Sequence, residues 1–163
     1  MAESSFDIEA GVDRQEVDNA INQAARECGT RFDFKDTDTL IEWSGDEAIK
    51  LESASEDRVR AALEVLRDKV VKRKVSLKAL DIGDPRDVAG GRSRIDISLI
   101  NTLPADLAKT IIKDIKATKL KVTPTNMGDH VRVAGKKRDD LQEIQAMVKS
   151  KDYDAPLRFT NYK

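Results

Sequence analysis

A single cysteine, Cys28, and a single histidine, His130, in 163 residues exclude an intramolecular disulfide and a metal cluster built from cysteines and histidines. Neither a phosphate-binding Gly-x-x-x-x-Gly-Lys loop nor a Gly-x-Gly-x-x-Gly, Gly-x-Ser-x-Gly or His-Glu-x-x-His motif occurs. His130 opens a strand beside a turn with no serine or cysteine next to it, and it reads as a solvated turn histidine. Cys28 falls on an apolar helix face and reads as a buried, inert thiol. The expectation is a protein without catalysis and without a cofactor. No apolar run approaches the roughly 20 residues of a membrane span. The opening Met1-Ala2-Glu3-Ser4-Ser5-Phe6-Asp7 is acidic and polar where a secretory signal is basic and then apolar. The reading is cytoplasmic, with no membrane partner.

What the chain does have is charge, 36% of residues, beside 39% hydrophobic residues, enough apolar material for a core. The net charge of -1 hides an asymmetry. Residues 1–82 carry 13 Lys/Arg against 19 Asp/Glu, whereas residues 83–163 carry 16 against 11, so the halves differ in sign.

Periodicity supplies the organisation. Phe6 to Ala10 alternates as a strand, and Asp13 with Glu16 three residues on opens a helix whose apolar face is Val17, Ala20, Ile21, Ala24 and Cys28. Thr39–Ser44 and Ala48–Ser53 form a hairpin across Gly45-Asp46. Ser55 caps a second helix with Val59, Leu63, Leu66 and Val70 inward, and a strand closes from Val75 to about Ile82. Residues 83–93, with Gly83, Pro85, Gly90 and Gly91, read as a linker. The order then returns. Ile95, Ile97 and Leu99 make a strand, Pro104 opens a helix, Leu120–Thr123 and His130–Val133 form a hairpin, Lys136–Lys149 is helical, and Pro156–Tyr162 is the last strand. The prediction is an α+β protein. It is a tandem of two ferredoxin-like βαββαβ domains, 1–82 and 94–163, each an antiparallel sheet with two helices on one face. The N-terminal strand could pair in either sheet.

The uncovered sheet faces are the candidate surfaces. With Ile95, Ile97, Leu120, Val122, Val131 and Val133 inward, alternation sends Arg94, Lys121 and Arg132 outward together. Gly135-Lys136-Lys137-Arg138-Asp139-Asp140 lies between a strand and a helix, where free backbone amides and three cations favour an anion, so Lys136, Lys137 and Arg138 form a candidate phosphate cradle. Arg31, Asn161 and Tyr162 lie in two short aromatic segments beside arginine, the chemistry of base stacking and phosphate pairing. Phe32, Phe34 and Phe159 in those segments read as core. The middle strands Glu47–Ser53 and His130–Ala134 contain no aromatic residue, so the stacking signature of an RNA-recognition motif is missing.

Five segments carry a resemblance: Ser4-Ser5-Phe6-Asp7-Ile8, Val12 to Ala20, Arg31-Phe32-Asp33-Phe34, Ser76 to Asp81, and Gly135 to Gln142. Together they resemble the bacterial YajQ family over nearly the whole chain, although Asp36 stands where that family commonly carries glycine. The resemblance implies a tandem of ferredoxin-like, RNA-recognition-motif-shaped domains and a nucleotide-binding protein, some members being cyclic di-GMP receptors that influence transcription. The expected function is therefore non-catalytic binding of cyclic di-GMP, another nucleotide or RNA through the basic surface. The protein would act as a regulator with a transcription regulator as partner. The alternative is a protein-interaction adaptor that uses the open sheet faces.

Overall fold

Asp13 and Ser55 sit in extended backbone and accept from the amides of Gln15 and Arg58, which satisfies otherwise orphaned donors at two helix starts. In the computed structural model, which describes residues 3–163, these helices are α1 (Arg14–Thr30) and α2 (Glu56–Lys72). Glu16 does not complete a capping box; its carboxylate instead accepts from the side-chain amide of Asn19. The remaining helices are α3 (Ala105–Ala117) and α4 (Arg138–Lys151). The strands are β1 (Ser4–Ala10), β2 (Leu40–Trp43), β3 (Ala48–Ser53), β4 (Leu80–Ile82), β5 (Arg86–Val88), β6 (Arg92–Leu99), β7 (Val122–Asn126), β8 (His130–Gly135) and β9 (Leu157–Thr160).

The chain divides into two units, but not at residues 83–93. One unit is continuous, Val12–Ile100; the other joins the residues up to Gly11 with Asn101–Lys163. In the joined unit the sheet order is β7-β8-β1-β9, every neighbour antiparallel, with β1 central between β8 and β9. Its elements run β1-α3-β7-β8-α4-β9, the ferredoxin-like order. In the continuous unit the order is β2-β3-β6-β4, with β5 also paired to β6. There β6, the last strand of that unit in the chain, fills the central place that β1 fills in the other sheet. The continuous unit is thus a ferredoxin-like sheet whose first strand has moved to its end.

The expected linker is structured because its glycines make a turn. Gly90 and Gly91, with φ of 81° and 72°, occupy left-handed backbone that side chains disfavour. They fold β5 back onto β6, where Arg86 pairs with Asp96 at 3.1 Å. Composition alone cannot separate such a turn from a flexible connection. The strand expected from Val75 to about Ile82 is confined to β4, with a short 3-10 turn at Leu77–Ala79 before it, and a second 3-10 turn occupies Phe32–Phe34.

Each unit has its own core. Val17, Ile21, Ile49, Leu51, Val59, Leu66, Ile95 and Ile97 belong to one; Phe6, Ile8, Ile111, Ile115, Val131, Val133 and Ile144 belong to the other. The strands show the period that alternation demands, with Phe6 and Ile8 inward and Asp7 and Glu9 on the opposite face. Among the described residues no helix is long and apolar enough to cross a membrane.

Candidate functional site

Transferring β1 from one sheet to the other redistributes charge. The joined unit carries 13 Lys/Arg and 11 Asp/Glu, net +2, and the continuous unit 16 and 19, net -3. The open face of the continuous unit is a lattice of charge pairs across and along its strands. Glu42 meets Lys50 at 3.1 Å, Arg94 meets Asp96 at 2.8 Å, and Glu52 lies 3.8 Å from both Arg92 and Arg94. Arg94 therefore belongs to a different sheet from Lys121 and Arg132, and its guanidinium is held by carboxylates. Arg31 is similarly committed, to Asp33 at 2.8 Å and Glu27 at 3.2 Å, and it lies 5.2 Å from the centre of the Phe34 ring. Phe34 is buried as expected, but Phe32 is 86% exposed, because a 3-10 turn does not keep residues two apart on one face.

On the open face of the joined unit, Asp7 is only 1% exposed although it points away from the core. Arg132, its partner across the β1–β8 ladder, covers it and donates from Nε at 2.9 Å; Asn161 donates from its side-chain amide, also at 2.9 Å. The Arg132 hydrogen bond, chiefly, holds the Asp7 carboxyl below its ordinary 3.8, against the opposing effect of burial. His130 is no solvated turn residue: its side chain is 21% exposed and lies between Asp129, 2.5 Å away, and Asp7, 3.5 Å away. The bond with His130 lowers the Asp129 carboxyl in turn. Arg132 and Asn161, both candidate ligand contacts, thus hold a buried carboxylate and tie the C-terminal residues to β1.

That arrangement predicts an acid-sensitive anchor. Asp7 has a lowered pKa in the fold, so its contribution to stability is present in full above the unfolded value and is lost as pH falls through the folded one. Asp7→Asn is expected to lower unfolding stability by about 1–3 kcal/mol at pH 7. In urea melts the gap to the parent is expected to narrow as pH falls below the unfolded value and through the lowered folded one; a gap independent of pH would show that charge plays no part.

The cationic segment remains. Gly135 ends β8 and Lys137 is the N-cap of α4 without a side-chain cap bond, so the first-turn amides of α4 are not satisfied by a capping side chain. Two clefts flank this helix start. One, of about 360 Å³, is lined by Lys121, Lys136, Lys137, Thr123, Asp140 and Glu3 among others. The other, of about 400 Å³, is lined by Arg138, Leu141, Gln142 and Gln145 from α4, by Ser4, Ser5 and Phe6 from β1, and by Tyr162 and Lys163. Gly135 is placed where no larger residue fits easily, since a Cβ would stand 3.1 Å from Val122 Cγ1 and 3.2 Å from the Lys121 carbonyl. The close approach of β8 to Lys121 is what brings that lysine beside Lys136 and Lys137.

Five of the sequence-derived residues therefore gather at one end of the joined unit: Lys121, Lys136 and Lys137 on one side of the helix start, Arg138 and Tyr162 on the other. Arg132 and Asn161 lie in the same unit but serve Asp7, while Arg31 and Arg94 lie in the continuous unit. Sequence reasoning missed Ser4, Ser5, Gln142 and Gln145. The helical spacing of Arg138, Gln142 and Gln145, which puts all three on one face of α4, was the signal for two of them. Chemically the arrangement offers cations and backbone amides to an anion, and an aromatic ring and neutral amides to a planar group. In the continuous unit, burial pushes the Cys28 thiol up to about 11, so it stays protonated near neutrality. Among the described residues no cluster of His, Cys, Asp and Glu could hold a metal ion.

Residues 4–163 match the family described as nucleotide-binding protein YajQ-like. Proteins named "Nucleotide-binding protein" from Mycobacterium avium and Mycobacterium tuberculosis are each 49% identical to the chain, and one from Saccharopolyspora erythraea is 48% identical. Each alignment covers 100% of both sequences. With the match spanning both units, the chain belongs to the YajQ-like family.

Proposed function

We propose that this protein binds a nucleotide, cyclic di-GMP being one candidate, at the start of α4 and does so without catalysis. The observation that carries the reading is the convergence of Lys121, Lys136 and Lys137 on one cleft beside a helix start that lacks a side-chain cap. Three cations at the positive end of a helix dipole repel that end and one another, and a bound phosphate offsets both costs. The names of the relatives point the same way. A bound nucleotide would then act by changing what the protein docks with, such as a transcription regulator.

RNA spread over the sheet is the weaker reading. The central strands β1 and β8 present Ser5, Asp7, Glu9, His130, Arg132 and Ala134 to the open face, with two carboxylates and no six-membered aromatic ring on which a base could stack. A protein-docking role for the open face of the continuous unit is also disfavoured, because that face is filled by charge pairs where an interface centre is depleted in charge.

Calorimetric titration with cyclic di-GMP, the common mononucleotides and a short single-stranded RNA tests the proposal. Binding of a nucleotide is expected to weaken steadily from low to high salt, because phosphate contacts with exposed lysines are screened within about 10 Å at 0.1 M. Affinity indifferent to salt would remove the lysine cleft as the site. Tight RNA binding with no nucleotide binding would replace the reading.

A further inference from the structure

Resting on that nucleotide-binding reading, we infer that the second cleft, between the start of β1, the exposed side of α4 and the C-terminal residues, is the nucleobase subsite, with Tyr162 as its stacking platform. The two clefts divide a nucleotide's chemistry between them. The lysine cleft is suited to phosphate; the other holds two cations, Arg138 and Lys163, and no acidic side chain, together with an aromatic ring and the neutral amides of Gln142 and Gln145. A base is flat, apolar on its faces and lined at its edge with neutral donors and acceptors. An exposed ring and side-chain amides are its complements. The volume of about 400 Å³ is within the range of small-molecule sites.

Tyr162 is pre-set for the task. It is 64% exposed, and its ring packs at 6.3 Å and 25° on Phe6, so one face is backed by a fully buried phenylalanine. Its position is fixed from both sides. Asn161, in left-handed backbone at φ 53°, reaches Asp7, and Lys163 exchanges backbone hydrogen bonds of 3.1 and 2.9 Å with Ser5. An exposed aromatic held this firmly loses little freedom when a ligand stacks on it. Continuity with the lysine cleft comes through the chain itself. Lys137 lines one cleft and Arg138 the other, and adjacent α-carbons are only about 3.8 Å apart. A nucleotide laid across the helix start meets both.

The test compares AMP, GMP and cyclic di-GMP with ribose 5-phosphate, which has the phosphate and no base, on the full chain by calorimetry. The parent is expected to bind at least one of the nucleotides roughly tenfold or more above ribose 5-phosphate. Tyr162→Ala is expected to abolish that preference while leaving the affinity for ribose 5-phosphate unchanged, and Tyr162→Phe is expected to keep it. The paired change Gln142→Ala with Gln145→Ala is expected to reduce discrimination between AMP and GMP. Melting curves of Tyr162→Phe and of the Lys136→Ala with Lys137→Ala pair are expected to match the parent, while Tyr162→Ala, which loses the ring packed on Phe6, is expected to melt slightly lower but still cooperatively. A preference for base that survives in Tyr162→Ala overturns the subsite alone, provided Lys136→Ala with Lys137→Ala still weakens binding. A parent that binds neither nucleotide nor ribose 5-phosphate overturns the nucleotide reading and this inference with it.

Discussion

Residues 101–163 produced alone are expected not to fold, whereas residues 12–100 produced alone are expected to unfold cooperatively as a complete unit. The first fragment lacks β1, which is a central strand: β8 pairs with it on one side and β9 on the other. Its loss removes Phe6 and Ile8, 1% and 0% exposed, and strands β9 from the rest of the sheet. Deleting side chains of that kind costs about 3–5 kcal/mol for a phenylalanine and 2–5 for an isoleucine. A unit this small draws only roughly 3–5 kcal/mol from its core, so the loss exceeds what it has. Residues 12–100, by contrast, contain α1, α2 and all the strands of the β2-β3-β6-β4 sheet, with a buried cluster running from Val17 to Ile97. Circular dichroism and urea melts decide the matter. A cooperative transition from 101–163 alone would mean that β1 is dispensable, and refolding on fusion of residues 1–11 through a flexible linker would show that β1 is the missing part.

The same strand explains what was and was not legible in the sequence. Both Phe6–Ala10 and Ile95–Leu99 alternate apolar and polar residues, so their existence, their inward faces and the ferredoxin-like order of elements followed from periodicity. Which sheet each enters is a question of pairing between distant segments, and alternation says nothing about it. The pairing also decides the site: alternation alone puts Arg94 beside Lys121 and Arg132, and the structure separates them by seating β6 in the other sheet. Arg132 was correctly placed on the open face, but its partner, Asp7, lies 125 positions away in sequence, beyond any local pattern. The placement of Lys136, Lys137 and Arg138 at a helix start is legible because it is local: a strand end, a glycine and a helix start in succession. Asp36 stands in left-handed backbone at φ 61°, a conformation that aspartate tolerates better than most side chains and that no local pattern announced.

Changing Lys136, Lys137 and Arg138 together to alanine is expected to weaken nucleotide binding by about 100-fold with the fold intact. A charge-assisted contact contributes roughly 1.5–3 kcal/mol when sheltered, and these side chains are exposed, so the three together are credited with about two such contacts at the lower end. About 3 kcal/mol corresponds to roughly a hundredfold in affinity. Stability is expected to hold, because the apolar stripe of α4 begins at Leu141 and continues through Ile144 and Val148, beyond the changed residues. Removing cations from the first turn also relieves an unfavourable interaction with the helix dipole. The control is Lys72, Arg73 and Lys74 changed to alanine at the end of α2, which removes the same charge from the other unit, where cations complement the dipole. Calorimetry and thermal melts of both triple variants separate the explanations. Loss confined to the first variant supports the cradle, equal loss in both assigns the effect to net charge, and parent-like binding in both removes the start of α4 as the binding site.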